Sequence, residues 1–204
     1  MHFKTIAECA ALPTDSPISL HPLPRWQTHP PPSSRLWPPD LSHWLFDAGS
    51  LTQRLLQRCP GQFRVQVLRQ GWTRPDHDEA AALGLRRDAW AWTREVRLCC
   101  DEQPWVFART VIPARTLRGR GRRLTRLGTR PLGAALFTDP GIRRGPLEVA
   151  RIAAGQSLHQ RAVAGCADPS AARWGRRSLF WLDGSPLLVC EIFLSNLPAS
   201  PACC

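Results

Sequence analysis

Eight residues near the C-terminal end, Leu187-Leu188-Val189-Cys190-Glu191-Ile192-Phe193-Leu194, carry seven apolar side chains and one carboxylate. Strand alternation puts Leu187, Val189, Glu191 and Phe193 on one face and Leu188, Cys190, Ile192 and Leu194 on the other. Both faces are apolar, so Glu191 points into buried surroundings. A buried carboxylate is costly unless it is paired, hydrogen-bonded or kept protonated. That cost makes an isolated internal acid a functional candidate. A structural Glu–Arg pair, or an edge strand with Glu191 facing water, are bland alternatives that the run alone leaves open.

A second pattern supplies possible partners. Residues 90–100 alternate as a strand, residues 101–102 turn, and residues 105–112 return. Trp90, Trp92, Arg94, Val96 and Leu98 share a face, opposite Thr93, Glu95 and Arg97. On the return strand Trp105, Phe107, Arg109 and Val111 share a face, which makes Arg109 a second inward candidate. An arginine on an apolar face is built to grip a carboxylate through two parallel hydrogen bonds. Both arginines could equally be core ion-pair residues.

The remaining segments give an α+β domain: a single antiparallel sheet of about six strands with helices packed on it. Short helices are expected over residues 41–46 and 51–58, the latter capped by Ser50 and ended by Cys59-Pro60-Gly61. Phe63, Val65 and Val67 mark a half-buried strand. Residues 116–138 read as two helical pieces, the second starting at Pro131. Residues 146–164 read as a weak Ala-rich helix and 165–173 as loop. A last hairpin runs from residue 178 through Asp183-Gly184 into the Glu191 strand. Residues 1–39 hold nine of the 20 prolines and read as a disordered tail, with the folded domain spanning 40–198 and a flexible end at 199–204.

Composition narrows the function. The net charge of +11 invites a nucleic-acid reading, but only Lys4 among 27 basic residues is a lysine, and the arginine cluster from Arg115 to Arg130 has no interleaved aromatics. A solvated basic face, or one that attracts small anions, fits better. No apolar stretch is long enough to span a bilayer, and the N-terminus reads poorly as a signal peptide. The eight cysteines form no C-x-x-C pair and no metal spacing with histidine, so they read as reduced thiols in a cytosolic protein. No phosphate loop, dinucleotide fingerprint or nucleophile elbow is present. The residues alone point to a cofactor-free, metal-free site for a small organic anion.

Several blocks in register carry a resemblance. Trp44-Leu45 with Gly49 to Arg54, Arg94 to Cys99, Pro104-Trp105 with Ala108 to Pro113, Leu127-Gly128 with Pro131 to Gly133 and Leu136-Phe137, and Trp174 to Ser178 with Pro186 to Leu188 and Glu191 to Leu194, resemble the chorismate pyruvate-lyase family across roughly residues 41–197. The resemblance implies a cytoplasmic, monomeric enzyme that splits chorismate into 4-hydroxybenzoate and pyruvate at the entry to the ubiquinone head group. It implies no cofactor, a buried product site under helical flaps, and possible hand-off of product to a membrane prenyltransferase. Arg94 and Glu191 match the family's product contacts and are the catalytic candidates. Leu51 and Leu132 match its flap positions, where helix starts offer backbone N–H groups to an anion. Arg109 is placed one shell out, as a partner for Glu191 or for the second carboxylate of chorismate. Glu191 either protonates the leaving ether oxygen or only orients the substrate. The segment 153–173 is longer than its family counterpart, and the first 39 residues are mostly an addition. A non-catalytic, small-anion-binding effector domain of the same fold is the alternative reading.

Overall fold

The computed structural model describes residues 23–28 and 37–199. Its centre is one antiparallel sheet of eight strands. The strands are β1 (Gln27–Thr28), β2 (Phe63–Thr73), β3 (Ala91–Cys100), β4 (Gln103–Pro113), β5 (Ile142–Arg144), β6 (Glu148–Ile152), β7 (Arg173–Leu182) and β8 (Ser185–Phe193). They lie in the order β1-β6-β7-β8-β4-β3-β2, with β5 paired to the far end of β7. The α+β expectation holds. Three strands of two to five residues (β1, β5 and β6) raise the count above about six.

Helices cover both faces, which explains why β8 is apolar on both. On one face lie α1 (Ser42–Leu45), α2 (Leu51–Arg58) and α4 (Leu132–Phe137). Trp44, Leu45, Leu51 and Leu55 pack there against Val65, Val96, Leu98 and Phe193. Leu124, from a 3-10 segment Gly119–Arg126, and Leu136 pack against Ile112, Phe180 and Leu187 on the same face. On the other face, α5 (Ser157–Val163) sets Leu158 and Ala162 against Phe107 and Ile192. There α3 (His77–Ala82) leads into Leu83, which packs on Val111 and Leu188.

Local chemistry accounts for the elements. Ser50 caps α2 by accepting from the Gln53 N–H, as its sequence position foretold. Asp76 and Glu79 form a capping box that starts α3, an element absent from the expectations above. Asp183 and Gly184 both have positive φ, 48° and 78°, and close a two-residue hairpin with Leu182 opposite Ser185. The weak helix expected over 146–164 is split instead. Its first half is β6, because Val149, Ala150 and Ile152 are buried by pairing with β7, and only Ser157–Val163 is helical. Strand β7 starts at Arg173, five residues before the expected strand.

Two further expectations change. The fold reaches back past residue 40: β1 pairs with β6, and Trp37 is buried against Phe46 and Trp174. The rest of the expected tail, with the Pro30-Pro31-Pro32 run, lies outside the described residues. Nor are all cysteines reduced. Cys59, just past α2, and Cys100, at the end of β3, form a disulfide with their Cα atoms 5.5 Å apart. Antiparallel pairing of β2 with β3 puts Phe63 opposite Cys100, which brings the end of α2 within bonding range. Among the described residues no helix is long and apolar enough to cross a membrane.

Candidate active site

The site lies on the α2/α4 face. Strand pairing sets it up: Arg94 on β3 faces Thr110 on β4, and Ala108 on β4 faces Glu191 on β8. Directly paired residues share a face, so Arg94 and Glu191 lie on the same side of the sheet with β4 between them. Strand spacing and rise put their Cα atoms about 12 Å apart. Between them is a cavity of about 40 Å³. Val96, Ala108, Thr110 and Val189 form its floor, and Leu51, Pro131, Leu132 and Phe137 form its roof.

Arg94 is 3% exposed, yet it makes no ion pair among the described residues. Its Nη1 donates to Gln70 Oε1 at 3.1 Å and its Nη2 to the carbonyls of Gly128 at 2.8 Å and Arg130 at 3.4 Å. All three acceptors are neutral. Burial therefore pushes the guanidinium below its ordinary value with nothing to oppose it. Gly128 adopts a left-handed conformation, φ 57°, which an L side chain resists. Its carbonyl and that of Arg130 belong to the loop entering α4, so the root of one flap rests on Arg94.

Glu191 has a partner. Arg176 on β7 lies directly opposite it, and Arg176 Nε donates to Glu191 Oε2 at 2.6 Å. Arg176 is 1% exposed on its side chain. Its Nη1 donates to the carbonyls of Trp44 and Asp47 at 2.8 and 2.7 Å, which ties the loop before α2 to the same group. Glu191 is thus ion-paired and also lines the cavity.

The two flap residues are both first helical residues, Leu51 after Ser50 and Leu132 after Pro131. The N–H groups at a helix start have no intrahelical acceptor. Both side chains line the cavity. The flaps meet at Gly133, where an added Cβ would lie 2.9 Å from Thr52 Oγ1.

Arg109 is elsewhere. It pairs across the sheet with Glu95 and Cys190, on the face opposite Arg94. Its Nε and Nη2 grip Glu79 at 2.7 and 3.0 Å, and its Nη1 reaches Glu95 at 2.6 Å. Burial works against its charge, but Glu79 and Glu95 outweigh burial and hold the guanidinium above its ordinary value. Arg109 is therefore neither the partner of Glu191 nor within reach of the cavity, and Arg176 takes the first of those places. Around it Arg161 pairs with Asp76 and Glu95, and Arg177 with Asp78 and Glu148. This far-face network is compensated throughout, unlike Arg94.

The strand alternation did not extend back to Arg176, nor reach Arg144 on β5. Arg144 Nε donates to Ser178 Oγ at 3.1 Å and its Nη1 to the Ala48 carbonyl at 2.7 Å. Among the described residues no cluster of His, Cys, Asp or Glu could hold a metal ion.

Chemically, the arrangement is a narrow pocket with an apolar floor and roof. An uncompensated cation stands at one end and a paired carboxylate at the other. It suits a flat ring with an anionic group on one side and a polar group on the opposite side.

Comparison with known proteins agrees. Curated relatives named probable chorismate pyruvate-lyase come from Azoarcus sp., 48% identical over 86% of this chain and 93% of the relative, and from Aromatoleum aromaticum, 47% identical over 84% and 92%. Another, from Marinobacter nauticus, is 45% identical over 78% of each chain. Among solved structures, PhnF from Mycobacterium smegmatis superposes with a TM-score of 0.53 at 16% identity, covering 78% of this chain and 69% of that one. A GntR-family regulator from Bacillus cereus gives 0.51 at 11% identity, over 71% and 99%. These two show likeness of fold alone. The family model described as chorismate lyase matches residues 25–199, and this chain belongs to that family.

Proposed function

We propose that the protein is a chorismate pyruvate-lyase that releases 4-hydroxybenzoate and pyruvate. The observation that carries this reading is Arg94, a buried guanidinium on the cavity wall whose protein partners are all neutral. A carboxylate supplies the charge it lacks, through hydrogen bonds stronger than neutral ones. The ring carboxylate of chorismate is placed on Arg94 and on a backbone N–H of Leu51 or Leu132. The ring hydroxyl is placed on Glu191, about the width of a benzene ring away.

In the reaction the ether bond to the ring breaks. The ether oxygen leaves with the three-carbon fragment, which becomes pyruvate. The hydrogen on the neighbouring ring carbon is lost from the ring and is balanced by the one pyruvate gains, so no net proton is consumed. The ring hydroxyl stays as the phenol. Aromatisation makes the step strongly downhill, so positioning and charge stabilisation in a closed site supply most of what is required. Arg176 donates to Glu191 at 2.6 Å, which supports Glu191 as an acceptor that orients the ring hydroxyl, and not as the acid.

The cavity of about 40 Å³ has room for only about one to three waters, far less than a benzoate needs. A benzoate therefore enters by displacement of the α2 and α4 flaps. We place the enzyme in the cytoplasm as a monomer, at the entry to the ubiquinone head group, with its product available to a membrane prenyltransferase.

Incubation of the purified protein with chorismate tests this reading. Growth of 4-hydroxybenzoate absorbance with an equal amount of pyruvate is the expected result. Binding of chorismate without turnover indicates a sensor domain and overturns it. For Glu191→Gln, a fall in kcat/KM of roughly 10- to 100-fold is expected for loss of one hydrogen bond to a charged group. Turnover at the wild-type rate removes Glu191 from the site.

A further inference from the structure

We infer that Arg144 is the seat of a second carboxylate, so that the site is built for a dianion with one acid at each end. This rests on the reading of the cavity as a chorismate site and extends it to a residue outside the pair Arg94 and Glu191.

The charge balance is the first observation. At the Glu191 end, two guanidiniums, Arg144 and Arg176, stand beside one carboxylate and line a small extension of the cavity with it. Arg176 is satisfied by Glu191 and two carbonyls. Arg144 donates only to the Ser178 hydroxyl and the Ala48 carbonyl, and it makes no ion pair among the described residues. Asp47, the other acid nearby, is already bridged to Arg54 at 2.9 Å. Burial and the neighbouring Arg176 both push Arg144 below its ordinary value, and Glu191 and Asp47 only partly oppose them. One positive charge is left without a counter-ion at this end, just as one is left at Arg94.

The second observation is location. The Arg144 guanidinium lies over the rings of Phe137 and Phe180, 5.8 and 5.5 Å from their centroids. Those two rings line the inner cavity and also border an outer cleft of about 350 Å³, where Arg144 stands as well. Arg144 is thus the charged post at the junction of cavity and cleft. A group reaching from the ring towards the surface meets it. In chorismate that group is the enolpyruvyl carboxylate, carried on the ring carbon beside the hydroxyl. Arg109, the residue expected to take this acid, is on the wrong face of the sheet. Arg144 is in the right place: its Cα pairs with Phe180, which lies on the cavity face.

The test uses two ligands that cannot react: 4-hydroxybenzoate, with one carboxylate, and 3-(1-carboxyvinyloxy)-4-hydroxybenzoate, with two. Their affinities are measured by calorimetry on the wild type, Arg144→Gln and Arg144→Lys. Arg144→Gln is expected to weaken the diacid roughly 10- to 100-fold, the range for a lost hydrogen bond to a charged group. It should leave 4-hydroxybenzoate within about 3-fold, which also shows that the variant is folded. Arg144→Lys should recover part of the diacid affinity by charge alone. Equal weakening of both ligands makes Arg144 a structural group and overturns the inference, as does a diacid that ignores the substitution. If the wild type fails to turn over chorismate but the diacid still depends on Arg144, the subsite stands and the lyase reading falls. If turnover is present and the diacid ignores Arg144, only the subsite falls.

Discussion

Arg94 and Arg109 are both buried arginines on neighbouring strands, 3% and 4% exposed, yet substitution should affect them in opposite ways. Arg94→Met removes a buried cation whose protein acceptors are neutral. Gln70, Gly128 and Arg130 are all exposed residues, so water can replace the guanidinium on them. No buried carboxylate is orphaned. Replacing such an ion by an apolar side chain of similar volume is often neutral or stabilising, so the unfolding free energy should change by no more than about 1 kcal/mol. Affinity should collapse instead. Two charge-assisted hydrogen bonds at about 1.5–3 kcal/mol each amount to roughly 3–6 kcal/mol, or about 10²- to 10⁴-fold in Kd for 4-hydroxybenzoate. Arg109→Met leaves Glu79, 2% exposed, with no ion-pair partner among the described residues and leaves Glu95 with Arg161 alone, so it should cost about 3–5 kcal/mol of stability. Its effect on product affinity should be small by comparison. Urea unfolding followed by fluorescence, with calorimetry of 4-hydroxybenzoate on both variants, reads the two effects separately. Strong destabilisation of Arg94→Met with intact product affinity would falsify the assignment of Arg94 to the site. Arg109→Met that unfolds no more easily than wild type would refute the role of Arg109 as the counter-ion of Glu79.

Three more outcomes are expected. Gly133→Ala forces α4 away from Thr52 at the flap contact, so release of 4-hydroxybenzoate should speed up several-fold in stopped-flow while urea stability changes little. Asp76 is pushed up by burial but held below its ordinary value overall by Arg161 and Ser157. A carboxyl depressed in the folded state contributes stability that is present above its unfolded value near pH 4 and lost as pH falls through its folded value. Asp76→Asn should therefore flatten the acid limb of a stability–pH curve below about pH 4, and an acid limb of unchanged steepness excludes that contribution. Reduction of Cys59–Cys100, 41 residues apart in sequence, should lower stability by about 4 kcal/mol on the chain-entropy estimate. A melting temperature indifferent to reductant rules that out.

The hairpins show how far the sequence reaches. The Asp183-Gly184 turn fixes a sum of 367 for paired positions on β7 and β8, and Arg176 opposite Glu191 follows from it. That pair is legible in the sequence, because the same alternation continues back beyond Ser178. The β3–β4 hairpin was not legible in the same way. Cys100 opposite Gln103 gives a sum of 203, which would set Arg94 opposite Arg109 on one face. A bulge between Leu98 and Cys99 changes the sum to 204, so Arg94 meets Thr110 and Arg109 turns to the far side. Trp105 is the extra residue and packs in the core beside Val106 and Phe193. A one-residue slip sends every later side chain to the other face, and no local residue type announces this one. Helix α3 was announced, by Asp76 and Glu79 at capping-box spacing. Strands β5 and β6 were not, because they are short and gain burial only from pairing with β7. The Cys59–Cys100 bond likewise depends on the register of β2 against β3, which spacing along the chain does not disclose.

The most direct measurement is a crystal structure of the protein with 4-hydroxybenzoate. The benzoate is expected in the cavity under α2 and α4, with its carboxylate within hydrogen-bond distance of Arg94 and its hydroxyl on Glu191. A ligand lodged in another cleft, or turned with its carboxylate away from Arg94, contradicts this assignment of the site.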